Sequence, residues 1–125
     1  MLNPFEQYKN NSINTMTKGE LLVLLYDEAI KKLNYSKILM ENKDFENAKV
    51  NLEKCRKIFN YLIVTLDDKY KLSQDLRELY MFFNKEIILA SSMKSTSNID
   101  NILPLIKDLR NTWLEADKIA KTEKK

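Results

Sequence analysis

Residues 45–66 read FENAKVNLEKCRKIFNYLIVTL. Phe45, Ala48, Leu52, Cys55, Phe59, Leu62 and Leu66 recur at spacings of 3, 4, 3, 4, 3 and 4, which puts them on one side of an α-helix. Glu46, Lys49, Glu53, Arg56, Lys57 and Asn60 occupy the other side. Asp44 is suited to cap the start, with Glu46 in the first turn near the positive end of the helix dipole. The pattern predicts a helix from 45 to about 67 that must lay its apolar stripe on something else.

Three further helices follow from the same reading. Thr17, Lys18, Gly19 and Glu20 match a capping box, in which the Thr hydroxyl and the Glu carboxylate satisfy free backbone amides reciprocally. The helix after it should run to about 42, with Leu22, Tyr26, Ala29, Leu33, Ser36 and Met40 in one stripe. A third helix should start between 70 and 73, with the stripe Leu76, Tyr80, Phe83, Ile87 and Ala90, and end in the polar run 91–98. The fourth spans about 98–121, where Ile99, Ile102, Ile106, Leu109, Trp113, Ala116 and Ala120 step by 3 and 4. That stripe thins to alanine, so its end should pack loosely. Pro104 either separates a first turn from the main helix or kinks it.

Four helices of similar length with short links make an all-α, antiparallel four-helix bundle. Residues 1–16 are left over as an N-terminal arm that can dock on the bundle through Phe5, Tyr8 and Ile13; residues 17–121 form the bundle and 122–125 a disordered tail. With 125 residues, 44% hydrophobic and 31% charged, the chain suits one globular domain. One Gly and two Pro disfavour sheets joined by tight turns. No signal peptide is expected, because residues 1–11 lack an apolar region, and no apolar run approaches a membrane span. The single Cys55 fits a reducing cytosol and reads as a small buried apolar side chain. The net charge of +3 comes from mixed signs rather than a basic stripe, so nucleic acid is not an expected partner.

The chain has no His. This removes the commonest general base, a phosphotransfer site, Cys/His zinc sites and the Glu-x-x-His pairs of di-iron bundles. Glu28, Glu53 and Glu86 read as solvated surface carboxylates, and Gly19 alone makes no phosphate loop. The expectation is no catalytic residue, no metal and no cofactor.

Two segments carry more apolar surface than a small bundle needs. Leu21, Leu22, Val23, Leu24, Leu25 and Tyr26 cover a helix all round, with Ile30 extending a second face. Leu79 through Phe83 and Ile87, Ile88 and Leu89 do the same on the third helix. Either the chain covers this surface itself or a partner does. An arm acting as a displaceable lid would reconcile the two.

Five motifs in order resemble the flagellar secretion chaperones of the FliS type. They are the opening Tyr8-Lys9-Asn10-Asn11-Ser12-Ile13-Asn14-Thr15; Leu25-Tyr26-Asp27-Glu28-Ala29-Ile30; Thr65-Leu66-Asp67; Leu79-Tyr80; and Leu109-Arg110-Asn111-Thr112-Trp113. Met16, Lys18 and Pro104 depart from that pattern. The resemblance implies a cytoplasmic chaperone that binds the disordered C-terminal segment of flagellin, prevents premature polymerisation and keeps it competent for export. It leaves room for an export-gate component as a further partner, with the free protein a monomer or weak dimer. With the surplus apolar faces it points to Tyr8 and Ile13 as arm anchors. Leu22, Leu25, Ile30, Leu62, Leu66, Leu79 and Phe83 become candidate groove residues. The alternative is a structural bundle that self-associates through the same faces.

Overall fold

The computed structural model describes residues 15–123. They form four helices: α1 (Lys18–Glu41), α2 (Phe45–Val64), α3 (Lys71–Met93) and α4 (Ser97–Glu123). α1 packs on α2 and α4, and α3 packs on the same two helices. The order around the bundle is therefore 1-2-3-4, with neighbours antiparallel, as the sequence predicts. Tyr8 and Ile13, and the arm they belong to, lie outside the described residues.

Local chemistry sets each helix start and stop. The capping box forms: the Glu20 amide donates to Thr17 Oγ1 at 3.0 Å, and the Thr17 amide to Glu20 Oε1 at 3.4 Å. Asp44 caps α2, accepting from the Asn47 amide at 3.4 Å and its side-chain Nδ2 at 2.8 Å. With glycine so scarce, lysines take the left-handed positions that end helices: Lys43 (φ 61°) and Lys94 (φ 52°). Each pays a steric cost that Gly would avoid. α4 runs unbroken through Pro104. Pro104 and Asp100 are both exposed, so water can replace the hydrogen bond that a proline cannot donate. The helix continues to Glu123, beyond the expected end of the bundle.

The core is the four stripes meeting. Leu52, Cys55, Phe59 and Leu62 of α2 and Tyr80, Phe83, Ile87 and Ala90 of α3 are closed to solvent, as are Ile99, Ile102 and Ile106 of α4. Phe59 stacks tilted against Phe83 at 5.2 Å and Tyr80 at 5.9 Å between ring centres. Burial pushes the Cys55 thiol up out of its usual range, and its Sγ faces the Ala29 carbonyl. Ser36 is tolerated in the α1 stripe because it donates to the Lys32 carbonyl and accepts from Asn51 Nδ2, each at 2.8 Å.

The surplus apolar residues divide. Leu21 to Leu24 are all half-buried, so the bundle covers much of α1. On α3, Met81, Phe82 and Ile88 remain 58%, 39% and 44% exposed.

Gly19 lets α1 and α4 approach. A Cβ there would lie 2.6 Å from Asp117 Oδ1 and 2.8 Å from its Cβ, closer than atoms pack. Gly19→Ala should therefore lower the thermal midpoint by several degrees, as overpacking costs about 1–3 kcal/mol. A rise, as the helix propensity of Ala alone would give, would show that the two helices can part freely.

Candidate functional site

The last turn of α2, the link to α3 and the first turns of α1 meet at one end of the bundle. The Thr65 hydroxyl donates to the Leu62 carbonyl at 3.2 Å. Asp67 then ties down the link. Its carboxylate accepts from the Lys69 amide at 3.0 Å, and its carbonyl accepts from the Tyr70 amide at 3.2 Å and the Ser73 hydroxyl at 2.5 Å. Asp68 holds Arg77 at 2.8 Å. This fixed link leaves a cleft of about 320 Å³. Leu62, Leu76 and Tyr80 form its buried floor, Leu22, Leu66 and Trp113 its half-buried walls, and Leu72 (55% exposed) and Tyr70 (66%) its rim.

Three polar rings meet at this end of the bundle. Trp113 Nε1 donates to Tyr26 Oη at 3.0 Å, and Tyr26 Oη lies 2.5 Å from Tyr80 Oη. Burial, and the neighbouring Tyr80, push the Tyr26 phenol well above its usual range; burial raises Tyr80 too, against the lowering effect of the Tyr26 bond. Both phenols therefore stay neutral. Arg110 Nε, one turn from Trp113, pairs with Asp27 at 2.8 Å. At the extreme end, Thr17 donates to Asp117 at 2.8 Å, while Lys121 bridges Asp117 at 3.0 Å and Glu20 at 3.2 Å.

Of the candidate groove residues, Leu22, Leu62 and Leu66 come together in this cleft. Leu25 and Phe83 do not line it: they are 1% and 0% exposed and belong to the core. Ile30 and Leu79 are half-buried against the core, away from the cleft. Leu72, Leu76, Tyr70, Tyr80 and Trp113 line it without having been singled out as groove residues. Leu72 precedes Leu76 by four, so extending the α3 stripe by one step would have found it. Trp113, read as core, is core on one side and cleft wall on the other.

Two other hollows lie on the outer seam of α2 and α3. The larger, about 570 Å³, is bordered mainly by charged and polar groups, among them Glu46, Lys49, Glu53, Arg56 and Lys94. The smaller, about 360 Å³, runs along Ile63, Met81 and Ile88. Among the described residues no group of three or more His, Cys, Asp or Glu could hold a metal ion, and no helix is long and apolar enough to cross a membrane.

Comparison with known proteins gives one consistent result. The family described as "Flagellar protein FliS" matches residues 1–120. The flagellar secretion chaperone FliS of Bacillus subtilis (strain 168) is 30% identical over 114 residues, 91% of this chain and 86% of its own length. The protein of the same name from Escherichia coli (strain K12) is 23% identical over 109 residues, 85% and 80% of the two lengths. The crystal structure of a bacterial flagellar chaperone superposes with a TM-score of 0.78 at 22% identity, covering 91% of this chain and 94% of its own. That likeness independently supports the four-helix fold.

The neutral phenols set a pH dependence. Their folded pKa values are raised, whereas in the unfolded chain tyrosine ionises near pH ~10. Their contribution is fully present below that pH and is lost as pH rises further, because the unfolded state then releases protons that the fold retains. The urea midpoint should fall as pH rises through about 10. Tyr80→Phe should be less stable at neutral pH but decline less steeply. Equal slopes for variant and wild type would contradict the assignment.

Proposed function

Since this chain belongs to the FliS family of flagellar proteins and so has a chaperone role in flagellar export, we propose that it holds the disordered C-terminal segment of flagellin in the cytoplasm. It thereby prevents premature polymerisation and delivers a client that remains competent for export. The observation that carries this reading is the end cleft, where residues of three family motifs line a largely apolar hollow and Tyr26 of a fourth is hydrogen-bonded to two of them. Tyr26, Tyr80 and Trp113 are joined by hydrogen bonds, and Thr65, Leu66 and Asp67 form the adjoining wall and rim.

Ordering a disordered client costs roughly 2–5 kcal/mol or more. At about 25 cal/mol per Å² of apolar surface, a hollow of about 320 Å³, which takes only a side chain or two, does not supply that with enough left over for tight binding. The client must continue beyond it. The exposed α3 residues Met81 and Ile88, with Ile63 of α2 beside them, offer a second apolar track. A client that wraps from the end cleft to this track buries both surplus surfaces and leaves no single deep pocket.

The arm belongs to the same reading. Lys18, where α1 begins, borders the cleft. Tyr8 and Ile13 are proposed as its anchors, competing with the client as a lid.

Calorimetric titration with the C-terminal segment of flagellin should show tight one-to-one binding with a large negative heat-capacity change. Trp113 is the only tryptophan, so its emission should shift with the same midpoint. Leu72→Asp and Leu66→Asp should weaken binding at least tenfold with helicity retained, while no heat and no emission change in the wild type would refute the chaperone reading. Tyr8→Ala should bind the client equally or more tightly; a large loss, with the fold intact, would make Tyr8 a client contact instead of a lid anchor.

A further inference from the structure

The indole N–H of Trp113 can only donate. At 3.0 Å from Tyr26 Oη, it fixes that oxygen as an acceptor. Tyr26 is fully buried, and the other polar neighbour of its hydroxyl is Tyr80 Oη. Were Tyr80 to donate, Tyr26 would accept twice and its own proton would be buried with nowhere to go, an arrangement that folded proteins avoid. The direction that satisfies Tyr26 runs from Trp113 to Tyr26 to Tyr80. Tyr80 then accepts, and its own proton is left over. Its hydroxyl meets no further acceptor among the described residues. Of the two phenols, only Tyr80 borders the end cleft, and it is 1% exposed. A donor so placed lies beneath walls of Leu22, Leu66 and Trp113, and the other hydroxyls that line the cleft, those of Thr65 and Ser73, already donate to the Leu62 and Asp67 carbonyls.

We propose that the Tyr80 hydroxyl is the specificity-determining donor of the cleft and hydrogen-bonds a main-chain carbonyl of the client. The inference rests on the client reading above and adds the chemistry by which the cleft distinguishes its occupant. An apolar hollow alone accepts any side chain of suitable size. One directed donor at its floor demands an acceptor at a fixed depth. A segment disordered when free brings such acceptors: where it forms a helix, the last four carbonyls lack partners within that helix. The side chain beside that carbonyl fills the leucine walls. Trp113 and Tyr26 act as positioning residues, since they hold the donor in one direction without touching the client's carbonyl.

The test combines Tyr80→Phe with an amide-to-ester scan of the flagellin C-terminal segment, which weakens one carbonyl acceptor at a time. Affinity is measured at a temperature where both chaperones are fully folded by circular dichroism. Phe keeps the ring against Phe59 and Phe83 and removes only the hydroxyl. Binding should weaken about tenfold, equivalent to about 1.4 kcal/mol. One ester position should weaken binding to the wild type and leave Tyr80→Phe unaffected. Equal affinities of variant and wild type, or a scan that affects both alike at every position, would overturn the proposal. If Tyr80→Phe does not fold, the scan on the wild type alone decides, and a flat profile overturns it. Failure of the wild type to bind the unmodified segment would instead refute the client reading itself.

Discussion

Trp113 reaches from α4 to the Tyr26 phenol of α1, 3.0 Å away, and that phenol lies 2.5 Å from the Tyr80 phenol of α3. Three helices are thus registered against one another by two buried phenols and a half-buried indole. Breaking either contact leaves a buried polar group unmatched, at a cost of about 1–3 kcal/mol, so the three helices cannot slide independently. The rest of this end follows from that constraint. Arg110 pairs with Asp27 next to the relay, and Gly19 lets the start of α1 sit against Asp117. With α1, α3 and α4 fixed, the link after α2 has to bridge the remaining gap, and Asp67 folds it back on itself. The cleft is the space this arrangement leaves open.

Most of the fold is legible in the sequence because the stripes of α2 and α3 have a single phase. Each residue of the α3 stripe, from Leu76 to Ala90, is buried. The candidate groove was legible only in part. From Leu21 to Tyr26 every position is apolar, so periodicity gives no phase, and Leu25 falls in the core while Leu22 borders the cleft. Which of them turns inward depends on how α1 sits on α2 and α4, a relation between distant parts of the chain. Phe83, by contrast, lies on the α3 stripe, whose periodicity already places it in the core, where it packs against Phe59. The role of Gly19 likewise depends on a side chain in the last helix. No local pattern encodes it.

The two kinds of surplus surface have different physical consequences. On α1 the neighbouring helices half-cover the excess leucines, which adds stability to the closed bundle. On α3, Met81, Phe82 and Ile88 stay in water, a standing cost that a soluble bundle avoids unless the surface is used. A preformed cleft beside an exposed apolar row suits a client that must be held without being fully folded. The cleft is shaped by hydrogen bonds within the bundle, so little of the binding energy is needed to organise the chaperone, and most can go to ordering the client.

The central claim is that the end cleft is where the client enters. Hydrogen exchange of the chain, alone and with the flagellin C-terminal segment, tests it most directly. The account predicts slower exchange over the first turns of α1, the link at 65–70 and the first turns of α3. Protection confined to the α2–α3 seam around Lys49 and Ser91, with the link at 65–70 exchanging as in the free chain, would contradict it.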